Sequence, residues 1–241
     1  MLYSHKTQGH SHNDYKQDLP FIKAYQAGMQ SIEADVFLRG DTLFVAHEKQ
    51  EIRPGRTLET LYLHPLVAAF RQHQQHPFPD TNKTLQLVID IKENYQQVIS
   101  ALLKILDTYE DVFKPAINLH AVRIVLSGDL PTPDSFSQYP SYISFDGRPE
   151  QTYTAQQLQR IAMISQDIKH YTQWNGKENL SVEDQGKLIH VIQAAHQQGK
   201  PVRFWATTDR METWMTLERL GVDWINTDHP EELASYYQQH H

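Results

Sequence analysis

Acidic, imidazole and ammonium side chains recur at strand-like spacing in the first half of this chain. In "SIEADVF" Glu33 and Asp35 stand two apart, and in "LVIDIKE" Asp90 and Lys92 do the same. Residues two apart on a β-strand project from the same face, so each pair holds its charged groups close together. Adjacent like charges raise one another's pKa and cost stability unless a cation or a shared proton relieves them. If the two strands are parallel neighbours, three carboxylates and one ammonium converge. An all-oxygen set of this kind suits Mg2+ or Ca2+ better than a soft metal. Glu33, Asp35 and Asp90 are therefore read as holding one divalent cation. The spacing also fits a plainer arrangement, with Glu33 in solvent, Asp35 capping a loop and Asp90 paired to Lys92.

Histidines flank these acids. His10 closes a short run, "QGHSHNDY", and His47 closes "TLFVAH". If the strands form a barrel, both are expected at strand carboxyl ends, the rim on which such barrels assemble active sites. Two imidazoles titrate near neutral pH and can act as one base and one acid, which in-line attack on a phosphoester requires. The chain has fourteen histidines, so most are ordinary surface residues, "RQHQQHPF" and the terminal "QQHH" among them.

The elements that must position these residues are legible from period. Short apolar or alternating runs, "SIEADVFL", "TLFVAHE", "LQLVIDIK", "AVRIVLSG", "SYISFDG", "AMISQDI", "PVRFWATT" and "DWINTD", read as strands. Between them lie helical patterns, such as Val98, Leu102, Ile105 and Leu106 within "NYQQVISALLKILDTYEDVF". Ser181 with Asp184 and Asp209 with Glu212 look like helix starts, and Gly199 and Gly221 like helix stops. With "QGHSHND" as the first strand, about eight β-then-α units follow one another, with "TLFVAHE" as an extra strand near the second. The expected fold is an α/β, somewhat irregular (β/α)8 barrel, one domain over residues 1–241. The prolines of "PTPDSFSQYPS" deny that crossover a regular helix.

Composition narrows the partners. With 39% hydrophobic and 21% charged residues the chain can bury a core and is not a disordered one. A net charge of -7 without basic clusters argues against a nucleic-acid partner. No cysteine is present, which removes disulfides, thiolate metal sites and a cysteine nucleophile. Runs such as "VISALLKIL" are too short to span a bilayer, so no integral membrane protein is expected. The first motif begins nine residues in, which also fits a chain trimmed of an export leader, and cellular location stays open.

"GHSHNDY", "SIEADVFL", "VAHE", "LVIDIKE", "RFWATTD" and "GVDWINTDHP" occur in the order and spacing of a known group. The chain resembles the phosphatidylinositol-phospholipase-C-like phosphodiesterase superfamily, which includes glycerophosphodiester phosphodiesterases and the spider-venom type phospholipase D. It is most similar to a bacterial and fungal branch whose first motif is His-Ser-His-Asn-Asp rather than His-Arg-Gly. The resemblance implies a distorted barrel with a single Mg2+ or Ca2+ on Glu33, Asp35 and Asp90. It further implies an acid/base or nucleophilic pair in His10 and His47, phosphate contact by Lys92, and Trp205 at the substrate mouth. The implied substrate is a small-molecule or lipid-derived phosphodiester. Ser11 replaces the usual arginine after the first histidine, which puts a glycerol preference in doubt, and Glu48 replaces an aspartate after His47. His12 shares the strand face of His10 and is open to substrate contact, to a hydrogen bond with a catalytic group, or to finishing the turn.

Two rival readings remain. His10 and His12 as a His-x-His pair, with Asp228 and His229, would suit a binuclear Zn2+ or Mn2+ amidohydrolase or PHP-type phosphoesterase barrel. That leaves Glu33, Asp35 and Asp90 without a role. A non-catalytic barrel that binds a phosphorylated ligand would have no use for two imidazoles beside a cation site.

Overall fold

The computed structural model describes residues 7–240. Nine strands alternate with helices: β1 (Gln8–Ser11), β2 (Ser31–Arg39), β3 (Thr42–Val45), β4 (Gln86–Ile91), β5 (Arg123–Gly128), β6 (Ile143–Gly147), β7 (Ile161–Asp167), β8 (Val202–Trp205) and β9 (Trp224–Thr227). Eight of them are parallel and run in the order β1-β9-β8-β7-β6-β5-β4-β2, and a β1–β2 pairing closes the ring. This is the expected (β/α)8 barrel. β3 is the extra strand: it pairs antiparallel with the far end of β2, Arg39 opposite Thr42 and Val36 opposite Val45.

Strand parity sorts side chains into two cores. On β4, Leu87, Ile89 and Ile91 belong to the large apolar cluster under the helices. Val88 instead joins Val125, Ala162 and Met163 in a separate small cluster against which Trp224 packs. Val88 and Val125 are register partners, so this second cluster is the apolar plug of the barrel interior, as expected where inward side chains stack in layers. The next residues of the same parity are polar and buried: Glu33, Asp146, Arg203 and Asn226. A charged layer thus rests on the plug and opens at the strand carboxyl ends.

The helices follow the apolar periodicity. Tyr95–Leu106 buries Val98, Ile99, Leu102 and Leu106 against the sheet. Ser181 caps Val182–Gln197 by accepting from the Asp184 amide, and Gly221 ends Met211–Leu220 at φ 92°. The crossover over Pro133–Gln138 is a short 3-10 turn, as its prolines require. One expected start differs: Met211–Leu220 is preceded by Arg210 and has no side-chain cap. Asp209 Oδ2 instead accepts from the Asp228 amide at 3.0 Å, because the adjacent end of β9 offers it a donor. None of the described helices is long and apolar enough to cross a membrane.

Candidate active site

The acid trio forms where β2 and β4 run side by side. Their parallel register sets Asp35 opposite Asp90 and Glu33 opposite Val88, so inward parity carries Glu33, Asp35 and Asp90 to the mouth. One carboxylate oxygen from each lies within 4.8 Å of the others, the spacing a shared cation needs. Lys92 Nζ reaches Asp35 Oδ2 at 2.7 Å and Asp90 Oδ2 at 2.8 Å. Burial, then the charges of Glu33 and Asp35, push the Asp90 carboxyl up to about 6 against the opposing pull of Lys92. Burial also works against ionised Glu33, but the Arg203 guanidinium and the His10 hydrogen bond outweigh it and hold this acid well below the usual range. Arg203 and His10 both meet Glu33 Oε2, which leaves Oε1 as the oxygen available to a cation. The donor set, hard and anionic, fits Mg2+ or Ca2+.

The histidines divide by layer. His10 is fully buried, with Nδ1 on Ser31 Oγ at 2.6 Å and Nε2 beside Glu33 Oε2 at 3.0 Å and Arg203 Nη1. Burial and the Arg203 charge lower its pKa to about 4. Both ring nitrogens are therefore taken, and no face of His10 meets the cleft. This differs from the expected rim position, because the β1–β2 register sets His10 opposite Ser31, one layer below the acids. Two residues along a strand advance about 6.6 Å, and that step lifts His12 into the cleft.

The cleft, of about 280 Å³, is lined by His12, His47, the acid trio, Lys92, Arg148, Arg203 and Trp205, with Ser127 and Gly128. The His12 side chain is 28% exposed, and its Nε2 stands 4.0 Å from Glu33 Oε1. Its Nδ1 donates to Asp228 Oδ1 at 2.8 Å. An acceptor-only carboxylate there assigns the proton to Nδ1 and turns Nε2 toward the acids. Burial disfavours the imidazolium of His12, but the Asp228 hydrogen bond and the Glu33 charge prevail and raise its pKa. Asn13, at φ 48° where Asn is among the tolerated residues, donates to both Asp228 oxygens. Asp14 accepts from Ser11 Oγ at 2.9 Å and from the Phe21 amide at 2.6 Å. The whole "HSHND" run is thereby accounted for as buried strut, loop staple and oriented imidazole.

His47 reaches the same cleft by another route. It follows β3, which returns along β2, and the Ala46 amide donates to the Asp35 carbonyl at 3.2 Å. His47 is thus delivered by a hairpin rather than by the carboxyl end of a barrel strand. Its side chain is 50% exposed, with Nδ1 donating to Asp35 Oδ2 at 3.0 Å. The binuclear arrangement does not assemble: His10 is enclosed, and His229 turns to Glu232 at 3.4 Å. A larger hollow, about 440 Å³ between Gln8, Arg123, Lys200 and Trp224, gathers no acid–imidazole set.

A family model for the AIM6-like phosphodiesterase domain matches residues 5–114, and one for the glycerophosphoryl diester phosphodiesterase family matches residues 201–231. The first segment carries all three acids, Lys92 and the imidazoles of His10, His12 and His47, and the second carries Arg203 and Trp205. Both matched segments are thus similar to phosphodiesterase families. Among curated proteins it is similar to the altered inheritance of mitochondria protein 6 homolog of Arthroderma benhamiae, 28% identical over 95% of this chain and 83% of that protein. Among solved structures it resembles a glycerophosphodiester phosphodiesterase from Parabacteroides distasonis, with TM-score 0.59, 13% identity, and coverage of 99% of this chain and 100% of that one. It also resembles an Oleispira antarctica phosphodiesterase solved with its product sn-glycerol-3-phosphate, with TM-score 0.54, 14% identity, and coverage of 90% and 88%. The structural likenesses concern the fold.

The cleft also holds groups that strand spacing does not single out. Arg203 sits two before Trp205 on β8, so parity alone could have placed it inward. Asp146 holds the same parity on β6, and Arg148 follows it past the strand end. Gly128 ends β5 at φ +79°, and an added Cβ there would fall inside contact distance of Asp90 Oδ1 and the Ile91 carbonyl. Gly128→Ala is therefore expected to cost on the order of 1–3 kcal/mol of stability and to weaken cation affinity by displacing Asp90. Urea unfolding and a cation titration check this, and unchanged affinity would show that Asp90 does not depend on the close approach.

Proposed function

We propose that this chain is a cation-dependent phosphodiesterase acting on a glycerophosphodiester or phospholipid-type phosphodiester. In this reading Glu33 (through Oε1), Asp35 and Asp90 hold one Mg2+ or Ca2+. When bound, such a cation neutralises phosphoryl oxygens and makes phosphorus more electrophilic. Lys92 adds a donor at the same oxygens, and Trp205 bounds the substrate mouth. His12 and His47 form the acid/base pair. One accepts the proton of the attacking hydroxyl, and the other gives a proton to the leaving alcohol oxygen. Asp228 and Asp35 fix the ring orientations and stabilise whichever imidazolium forms, as a carboxylate does behind a catalytic histidine. His10 is a positioning residue under Glu33 and not a proton carrier.

One observation carries the reading: two imidazoles, each backed by a carboxylate, stand against Glu33 and Asp35 in a cleft that also holds Asp90 and Lys92. The bound product of the Oleispira antarctica neighbour supports a glycerophosphodiester as the first substrate to assay. The test is a panel of glycerophosphodiesters, lysophospholipids and inositol phospholipids with Mg2+, Ca2+ or chelator, products identified by phosphorus NMR. A cation-dependent phosphomonoester or cyclic phosphate is expected. No product from any diester with either ion would refute the reading. A monoester means direct attack by water, and a cyclic phosphate means attack by a substrate hydroxyl.

A further inference from the structure

The cleft has a second charged wall that the acid/base pair does not use. In the closed ring β6 lies four strands from β1 in either direction, so Arg148, just past β6, stands across the mouth from His12. Its side-chain hydrogen bonds all leave from Nη1: to Asp146 Oδ2 at 2.8 Å, Ser165 Oγ at 3.0 Å and the Gly147 carbonyl at 3.1 Å. Among the described residues Nη2 and Nε of Arg148 have no partner, although the residue lines the cleft. Asp146 is itself a hinge. Its Oδ2 accepts from Ser127 and Ser165 as well and lies 3.7 Å from Arg203 Nη2. Arg203 is 3% exposed, and its Nε is a buried donor without an acceptor among the described residues. Buried donors are normally satisfied, and an arginine with one edge tied and the other free is a fork waiting for oxyanions. With Asp146 set against Arg148 and Arg203, the acids Glu33, Asp35, Asp90 and Asp146 exceed Lys92, Arg148 and Arg203 by one, which is less than the two charges of a divalent cation. A divalent cation would therefore leave the cleft with positive charge to be met by an anion.

We propose that Arg148 is a substrate-contacting residue, its free Nη2–Nε edge taking a non-bridging oxygen of the phosphoryl group, with Asp146 and Ser165 as positioning residues. This rests on the phosphodiesterase reading for its substrate, but the anion site can be tested apart from turnover. Calorimetric titration of inorganic phosphate into the Mg2+-loaded protein is the direct assay. Arg148→Ala is expected to weaken phosphate binding roughly ten- to a hundred-fold, the range of a charge-assisted hydrogen-bond pair, and to raise KM for a diester in the same proportion. Arg148→Lys should recover only part, since one ammonium cannot serve Asp146, Ser165 and the ligand together. Mg2+ affinity should stay unchanged in both, which a merely structural role would not guarantee.

If Arg148→Ala fails to fold, Arg148→Lys and Arg148→Gln carry the test. Wild-type phosphate affinity in the folded variants, or no phosphate binding by the wild type, overturns the proposal. Phosphate binding lost with Arg148 in a protein that cleaves no diester keeps the anion site and refutes the phosphodiesterase reading. Diester cleavage unaffected by the substitution does the reverse.

Discussion

On the proposed phosphodiesterase reading, His12→Ala is expected to lower diester turnover by about 10²- to 10⁴-fold, the usual contribution of a positioned acid or base, and to leave the fold intact. Its partly exposed ring is held at Nδ1 by Asp228 and Asn13, which also bond one another, so truncation costs little packing and strands no buried charge. His10→Ala has a different expected signature. The ring is fully buried between Ser31, Glu33 and Arg203, so its removal opens a cavity and strips a partner from a buried ion pair. A loss on the order of 2–4 kcal/mol in unfolding free energy follows, with activity falling through the fraction folded and through a disordered Glu33. Steady-state kinetics alongside urea unfolding separate the two. If His12→Ala retains turnover within a few-fold while His10→Ala abolishes it at undiminished stability, the roles of the two residues are reversed.

Removing the divalent cation is expected to abolish turnover, and Asp90→Asn to do the same while making the metal-free protein more stable. The reason is mutual repulsion. In the metal-free protein Asp90 is pushed up to about 6 by burial and by Glu33 and Asp35, so its ionisation is a cost of the folded state. Between the ordinary carboxyl range and about 6, the folded chain holds a proton at Asp90 that the unfolded chain has lost. Its contribution to stability therefore falls as pH rises through that window and is most unfavourable above it. His10 has the opposite slope, because its folded pKa is lowered to about 4 and protonation at falling pH opposes folding.

Since the two slopes oppose each other in the wild type, the informative quantity is the difference between Asp90→Asn and wild type. That gain should grow as pH rises toward about 6 and then level off. Adding Mg2+ or Ca2+ reverses the order. At a hundred-fold excess over its dissociation constant the ion stabilises the wild type by about 2.7 kcal/mol, and the variant, lacking a ligand, gains far less. Thermal melts across pH, with chelator and with each ion, give the whole pattern. Equal stabilisation of both proteins by the ion would remove Asp90 from the cation site.

Much of this arrangement was legible in strand spacing. Glu33 and Asp35, two apart, share a face whatever the partner strand, and Asp90 joined them because the pattern around "LVIDIKE" is again a strand. Alternation of strand and helical patterns predicted the barrel, since parallel strands need crossovers that bury a helix on the sheet. The short apolar run after Gly40 announced β3, though not that it would return along β2 and carry His47 back to Asp35.

The histidine pair marks the limit. Parity placed His10 and His12 on one face, and parity is a local property of the backbone, so composition and period suffice for it. Depth is not local. Which of the two imidazoles lies among the acids and which lies beneath them depends on the β1–β2 register, and that register exists only once the ring closes. The same holds for Arg148, placed across the mouth from His12 by the closed ring, and for Asp228 behind His12, 216 residues further along the chain. Short-range geometry follows from residue type and spacing, because covalent stereochemistry alternates side chains along a strand. Distances between strands follow from how the sheet packs around its apolar plug, and no pattern within a single strand encodes them.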